Sequence, residues 1–277
     1  MYLMSDVIPK KQLGQNFITD PTVCPRMVQA CNIDKNWGVL EIGPGLGALT
    51  VPLADAAGKV VAIEIDGSLI PTLQKNLGER DNVKIINTDI MECDVAEIIG
   101  SEFGDMPVAV MGNLPYYITS PIIMMLLQKR LNIRLIAAMV QKEAGVRLCA
   151  PEGSRDSGAV TLAVRYYSDP KRLFDVPAGC FRPIPGVDST VIRLDMLDAP
   201  AVDCSDPDGL FRVIRAAFSQ RRKTVANSLS SGLNVGKDAV YAVLKDAGID
   251  PAARAERLCL SDYAAILSSF GNMDITV

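Results

Sequence analysis

Asn113 closes a short apolar run at residues 108–111 and is followed by Leu114, Pro115 and Tyr116. Four consecutive positions thus supply a side-chain amide, a backbone fixed by proline and an aromatic face. Upstream, Glu41-Ile-Gly43-Pro-Gly45-Leu-Gly47 follows another apolar run. Three glycines at alternate positions let the backbone turn sharply and lie against a ligand that side chains would block. The next run ends in Glu64, about 20 residues on, where a carboxylate can accept both hydroxyls of a ribose. Asp89 ends the third run and offers a second acid. The glycine spacing is not the G-x-G-x-x-G of dinucleotide enzymes, so a nucleoside ligand without a pyrophosphate is expected. Histidine is absent from the chain. That excludes Ser-His-Asp and Cys-His triads, His-ligated zinc and imidazole acid/base catalysis. Cys24, Cys31, Cys93, Cys149, Cys180, Cys204 and Cys259 form no C-x-x-C pair. They read as reduced thiols rather than a disulfide framework, and no metal is expected.

These residues need a scaffold that brings strand ends together. The chain has 277 residues, 49% of them apolar and 22% charged, which is an ordinary core-forming composition. Apolar or β-branched runs at 39–42, 60–65, 83–86, 108–111, 135–141 and 191–194 alternate with helix-compatible stretches at 50–57, 68–77 and 95–99. That alternation predicts βαβ units and a mainly parallel sheet, with ligands at its carboxyl edge. A further helix is expected to run from Pro21 to about Cys31, capped by Asp20. After Leu194 an acidic, turn-rich stretch leads into four short helical patterns at 210–219, 224–231, 238–247 and 261–270. The expected division is residues 1–200, an α/β domain, and 201–277, an all-helical domain. MYLMSDVIPKK has no basic segment followed by an apolar run, and the longest apolar block, 122–127, is far short of a membrane span. A cytoplasmic protein without a membrane partner is expected.

The ordered series Lys10-Lys-Gln-Leu-Gly-Gln15-Asn16-Phe17, Glu41 to Gly47, Asn113-Leu-Pro-Tyr116, Phe181-Arg-Pro-Ile-Pro-Gly-Val-Asp-Ser189 and Phe218-Ser-Gln-Arg-Arg-Lys-Thr224 resembles the KsgA-type (RsmA) small-subunit rRNA adenine N6,N6-dimethyltransferases over nearly the whole chain. Asn-Leu-Pro-Tyr resembles the [N/D/S]-P-P-[Y/F/W] signature of amino-methyltransferases in a Leu-Pro form. The resemblance implies a Rossmann-like class I S-adenosylmethionine-dependent methyltransferase sheet with a small C-terminal all-helical domain. It implies S-adenosylmethionine over Gly43 and Gly45, ribose at Glu64 and Ile65, adenine at Asp89 and Ile90, and a closing segment of Gln15, Asn16 and Ile18. Ile18 replaces the Leu usual in the family. Asn113 borders both methyl donor and target amine. The catalytic set implied is Asn113, Leu114, Pro115, Tyr116 and, as a second aromatic wall, Phe181. An ordinary core aromatic is the alternative for Phe181.

Charge is unevenly distributed behind a net of -4. Residues 41–105 carry twelve acids and four bases, whereas residues 209–237 carry six bases and no acid. Arg221, Arg222 and Lys223, with Lys10 and Lys11 near the N-terminus, are therefore candidate RNA contacts. The resemblance implies 16S rRNA or an immature small ribosomal subunit as partner and dimethylation of two adjacent adenines in its 3′-terminal hairpin. A monomer is expected. The same central motifs occur in Erm-type enzymes that methylate large-subunit rRNA, and a non-catalytic RNA-binding assembly factor is a third reading.

Overall fold

The structure, a computed structural model, describes residues 8–129, 131–220 and 222–273, apart from the side chain of Lys11. The chain folds as two compact units: residues up to Gly145 with Pro170–Met196, and Val146–Asp169 with the chain from Leu197 onward. The chain crosses between the units after Gly145, Asp169 and Met196, and the sequence division near residue 200 falls close to the third crossing. That division did not anticipate that Val146–Asp169 leaves the sheet unit for the helical one.

The sheet unit contains β1 (Phe17–Ile18), β2 (Gly38–Ile42), β3 (Lys59–Glu64), β4 (Val83–Asn87), β5 (Val108–Asn113), β6 (Ile133–Gln141), β7 (Ser168–Val176, entered at the crossing), β8 (Phe181–Arg182) and β9 (Ser189–Met196). Its helices are α1 (Val23–Cys31), α2 (Thr50–Ala56), α3 (Ile70–Leu77), α4 (Val95–Phe103) and α5 (Thr119–Gln128), while α6 (Lys142–Leu148) spans the crossing into the other unit. Seven strands form one sheet in the order β4-β3-β2-β5-β6-β9-β7. β4 through β6 run parallel and β9 lies antiparallel to β6. All five residues of β2 are buried, as expected for a central parallel strand covered on both faces.

Chain order reverses at β2, with β3 on one side and β5 on the other. This is the switch point at which open α/β sheets form a crevice. Register sets what lies there: Ile42 pairs with Ile63 and with Gly112, and Glu64 pairs with Asn87. Glu64 and Asn113 therefore stand one residue past the Ile42 row, at the ends of the two strands that flank β2.

Met27, Val39, Leu53, Val60, Ala109, Met111 and Val191 belong to one buried cluster of the sheet unit. Asp20 does not cap α1. Thr22 takes the cap position, and Asp20 Oδ1 accepts from the Thr22 backbone N–H and hydroxyl. The sequence reading also lacked β7, whose pattern is broken by Pro170 and exposed charges. The helical unit packs α7 (Ala159–Tyr167), α8 (Pro207–Ala217), α9 (Val225–Leu233), α10 (Lys237–Asp246) and α11 (Leu260–Asn272). Within it, Phe211 of α8 meets Tyr166 edge-on and stacks on Tyr167. No helix among the described residues is long and apolar enough to cross a membrane.

Leu53 is fully buried, so Leu53→Ala should cost about 2–5 kcal/mol by lost transfer energy and the remaining cavity. The checking measurement is the denaturant midpoint of the sheet unit. Ile8, 86% exposed, is the control: its truncation should stay within about 0.5 kcal/mol of the parent.

Candidate functional site

A cleft at the carboxyl edge is lined by residues 13–18, the Gly-rich turn, Glu64, Ile65, Leu69 and residues 113–116. Gly43 (φ +71) and Gly45 (φ +56) both adopt the left-handed region that side chains disfavour. Where a Gly43 side chain would begin, the nearest group is the Asn113 carbonyl at 4.0 Å, so the backbone is open to close approach. The Gly45 N–H donates to Glu64 Oε2 at 2.9 Å. Above it, the Phe17 ring lies 3.3 Å from where a Gly45 Cβ would stand, and Phe17 packs with Leu46 and Leu69.

Glu64 is buried, and its other oxygen accepts the Asp66 N–H at 2.8 Å. Burial raises its pKa, and the two backbone hydrogen bonds oppose that rise. Glu41 is a cleft residue to which the sequence reading gave no role. It is buried, Oε2 has no hydrogen-bond partner among the described residues, and burial, aided by the charge of Glu64, pushes its pKa up to about 8. An acid inside an otherwise apolar central strand was the available signal. Asp89 stands two residues beyond Asn87, where its Oδ1 accepts the Met91 N–H at 2.9 Å. Neither Asp89 nor the buried Ile90 is among the described residues lining the cleft.

Asn113 and the N-terminal segment are joined directly. Asn113 Nδ2 donates to the Asn16 carbonyl at 3.0 Å, an arrangement that turns Oδ1 away from that partner. Leu114 is buried, with its N–H donating to the Met139 carbonyl at 3.2 Å. The Pro115 carbonyl accepts from Thr119 Oγ1 and the Ile118 N–H, fixing the start of α5. Tyr116 is hydrogen-bonded through its hydroxyl to Ser189 Oγ at 2.7 Å. That contact pins a half-buried ring at the cleft.

Several expectations change. Phe181 is 0% exposed in the apolar cluster with Ile18 and Met27; it is a core aromatic, not a wall of the site. Its backbone instead pairs with the N-terminal segment, Ile18 opposite Phe181 and Phe17 opposite Arg182. Gln15 lines the cleft, but its amide donates to Asp66 Oδ2 at 2.8 Å and accepts the Lys10 N–H at 2.7 Å. Lys10, a candidate RNA contact, is ion-paired with Asp66 at 2.6 Å. In the helical unit Arg222 and Lys223 are exposed between α8 and α9, Arg215 is exposed in the last turn of α8, and Arg212 pairs with Asp206. Arg221 and the Lys11 side chain lie outside the described residues. Among the described residues no group of three or more His, Cys, Asp or Glu is placed to hold a metal.

A seven-stranded sheet in this order, with its crevice at the reversal and a helical unit following in sequence, defines a Rossmann-like class I S-adenosylmethionine-dependent methyltransferase. The family model for ribosomal RNA adenine dimethylase matches residues 9–271, and the chain belongs to that family. It is 45% identical over 271 residues to the ribosomal RNA small subunit methyltransferase A of Pelotomaculum thermopropionicum, covering 95% of this chain and 92% of that one. Identity to the protein of that name from Anoxybacillus flavithermus is 46% over 261 residues, or 93% and 88% of the two chains. Among solved structures, a dimethyladenosine transferase from Plasmodium falciparum superposes with a TM-score of 0.77 at 25% identity, covering 94% and 98%. The 23S rRNA methyltransferase ErmE shares the fold, with a TM-score of 0.71 at 24% identity over 92% and 100%.

Burial of Glu41 carries a pH dependence. A carboxyl whose folded pKa is raised from 4.5 to about 8 contributes stability that is complete below the unfolded value and is lost as pH rises to about 8. Thermal melts of the ligand-free protein between about pH 5 and 9 should therefore fall more steeply for the parent than for Glu41→Gln. Parallel curves would remove the buried acid as the cause.

Proposed function

We propose that this chain transfers methyl groups from S-adenosylmethionine to the N6 amines of two adjacent adenines in the 3′-terminal hairpin of 16S rRNA, acting on the immature small ribosomal subunit. The observation that carries the reading is the oriented Asn113 amide at a cleft built from a Gly-rich turn and a ribose-ready carboxylate. The small-subunit assignment draws support from the two relatives matched over nine-tenths of the chain.

The cleft suits that donor. Glu41 presents an unpartnered buried oxygen to the cleft, and a hydrogen-bond donor of the cofactor would supply the partner it lacks. We assign Gly43, Gly45, Glu64 and Ile65 to the nucleoside, Asp89 and Ile90 to its base, and Gln15, Asn16 and Ile18 to the bordering backbone. The cofactor supplies a methyl group already activated by its sulfonium. What remains for the protein is alignment and the handling of a weak nucleophile, because the adenine amine is delocalised into its ring.

Asn113 Oδ1 and the Leu114 carbonyl accept the two N–H groups of that amine, draw the nitrogen towards a tetrahedral shape and localise its lone pair. Pro115 fixes the turn that carries both acceptors. Alignment in the cleft provides most of the acceleration. The N–C bond forms as the C–S bond breaks. The methylated amine, strongly acidic once it carries the positive charge, sheds its extra proton to water, so no imidazole base is required in a chain that has none. The target base must leave its stack to enter, and the Tyr116 ring, held by Ser189, offers it a stacking face worth roughly 1–3 kcal/mol. In the helical unit, the exposed Arg222 and Lys223, with Arg221, serve as phosphate contacts. A cytoplasmic monomer is the form in which we expect it to act.

Asn113→Ala should abolish transfer to unmethylated small subunits while leaving S-adenosylmethionine affinity, read by calorimetry, within a few-fold. Glu64→Ala should do the opposite and weaken cofactor binding. Parent-like turnover in the first variant overturns the assignment of Asn113. Resolving the product as mono- or dimethyladenosine and mapping its position distinguishes this reading from large-subunit methylation. Replacing Arg222 and Lys223 by Ala together should flatten the plot of log affinity against log salt by about 1.8 if both meet phosphates on duplex RNA, taking the double-helix value for each released counterion.

A further inference from the structure

Asp66 lies just beyond the ribose-ready acid and does not line the cleft, yet it gathers side-chain hydrogen bonds from Lys10 and Gln15, in the segment that leads into β1. Its side chain is 2% exposed and accepts from Lys10 Nζ at 2.6 Å, Gln15 Nε2 at 2.8 Å, and the Ser68 N–H and hydroxyl. Gln15 Oε1 accepts the Lys10 N–H in turn, closing a ring of contacts on both ends of the carboxylate. Burial by itself would raise the pKa of Asp66, but the Lys10, Ser68 and Gln15 hydrogen bonds bring it down to about 2. The carboxylate is therefore charged across the working range. The residue after Gln15 is Asn16, whose carbonyl takes the Asn113 Nδ2 donor. A continuous path thus runs from the turn after β3, through the N-terminal segment, to the amide at the end of β5.

We propose that Asp66 is a positioning residue for methyl transfer: by anchoring Gln15 and Lys10 it holds the Asn16 carbonyl against Asn113 and so presents Asn113 Oδ1 to the target amine. The role deepens the methyltransferase reading and rests on it. An amide has a donor end and an acceptor end, and without a fixed carbonyl partner it can present either. With the donor end facing the substrate, Asn113 would repel the amine hydrogens that it must accept. Asp66 itself touches no reacting atom; it acts through the segment it anchors.

The test uses the full chain and separates this role from folding. Asp66→Ala also removes the Ser68 contacts, so Lys10→Met with Gln15→Met serves as a second variant that loosens the segment and leaves the Asp66 turn intact. Both should lower kcat for methyl transfer by about tenfold or more, the scale expected when a reacting group is misplaced. Cofactor Kd should change less, and any lost RNA contact of Lys10 would appear in the KM for subunits. The triple variant should be no worse than the more severe of the two. Asp66→Asn, which keeps one acceptor oxygen, should recover part of the rate. Hydrogen exchange of the amides of residues 14–18 should accelerate in both loosened variants. Parent kcat in the Lys10/Gln15 variant, additive losses in the triple variant, or unchanged exchange would each overturn the proposal. If the parent transfers no methyl group, the methyltransferase reading fails, and with it the catalytic role given to Asp66; the exchange rates still report the anchor separately.

Discussion

A buried carboxylate has to be hydrogen-bonded or it becomes costly to keep charged, and Glu64 meets that demand with two backbone amides from different loops. One is Gly45, in the turn after β2; the other is Asp66, in the turn after β3. The side chain suited to holding a ribose is thus also the tie that fixes the two loops beside it. Parallel pairing of β2, β3, β4 and β5 brings these loops to one edge. Within that frame the left-handed glycines keep a path open for a ligand, and the N-terminal segment closes it from above.

Two acids, one within β2 and one just past the end of β3, behave differently for reasons of environment. Glu41 is pushed towards its neutral form by burial without a partner for Oε2, whereas Asp66 is held charged by Lys10, Ser68 and Gln15. The first leaves an oxygen open to a hydrogen-bond donor and the second anchors a strap. Bases concentrate elsewhere in the sequence, between residues 209 and 237. The overall acidity of the chain therefore says little about what each unit can bind.

The strand ends were legible because β-branched runs bounded by Gly, Asp and Asn mark both an element and its terminus. Glu64 and Asn113 are accordingly recognisable as edge residues from the sequence alone. Side-chain pairings over long sequence distances were not legible. Gln15 and Asp66 are 51 positions apart, and nothing local announces that one amide is spent on the other. Phe181 shows the same limit: an aromatic beside Arg-Pro reads equally well as a stacking wall or as core, and burial decided for core. β7 escaped notice because charged residues and Pro170 obscure its alternation.

The two-residue ladder of β1 with β8 has a consequence for the order in which the molecule comes into being. Arg182 and Phe181 are made about 160 residues after their partners Phe17 and Ile18, a delay of roughly 8–30 seconds at 5–20 residues per second. Before that interval ends the nascent chain gains the Gly-rich turn, Glu64 and Asn113, while the backbone partner of β1 has still not been made. Asp66 and Asn113 can take hold of residues 10–16 before then, so the ladder with β8 is the last of the ties on that segment to become available.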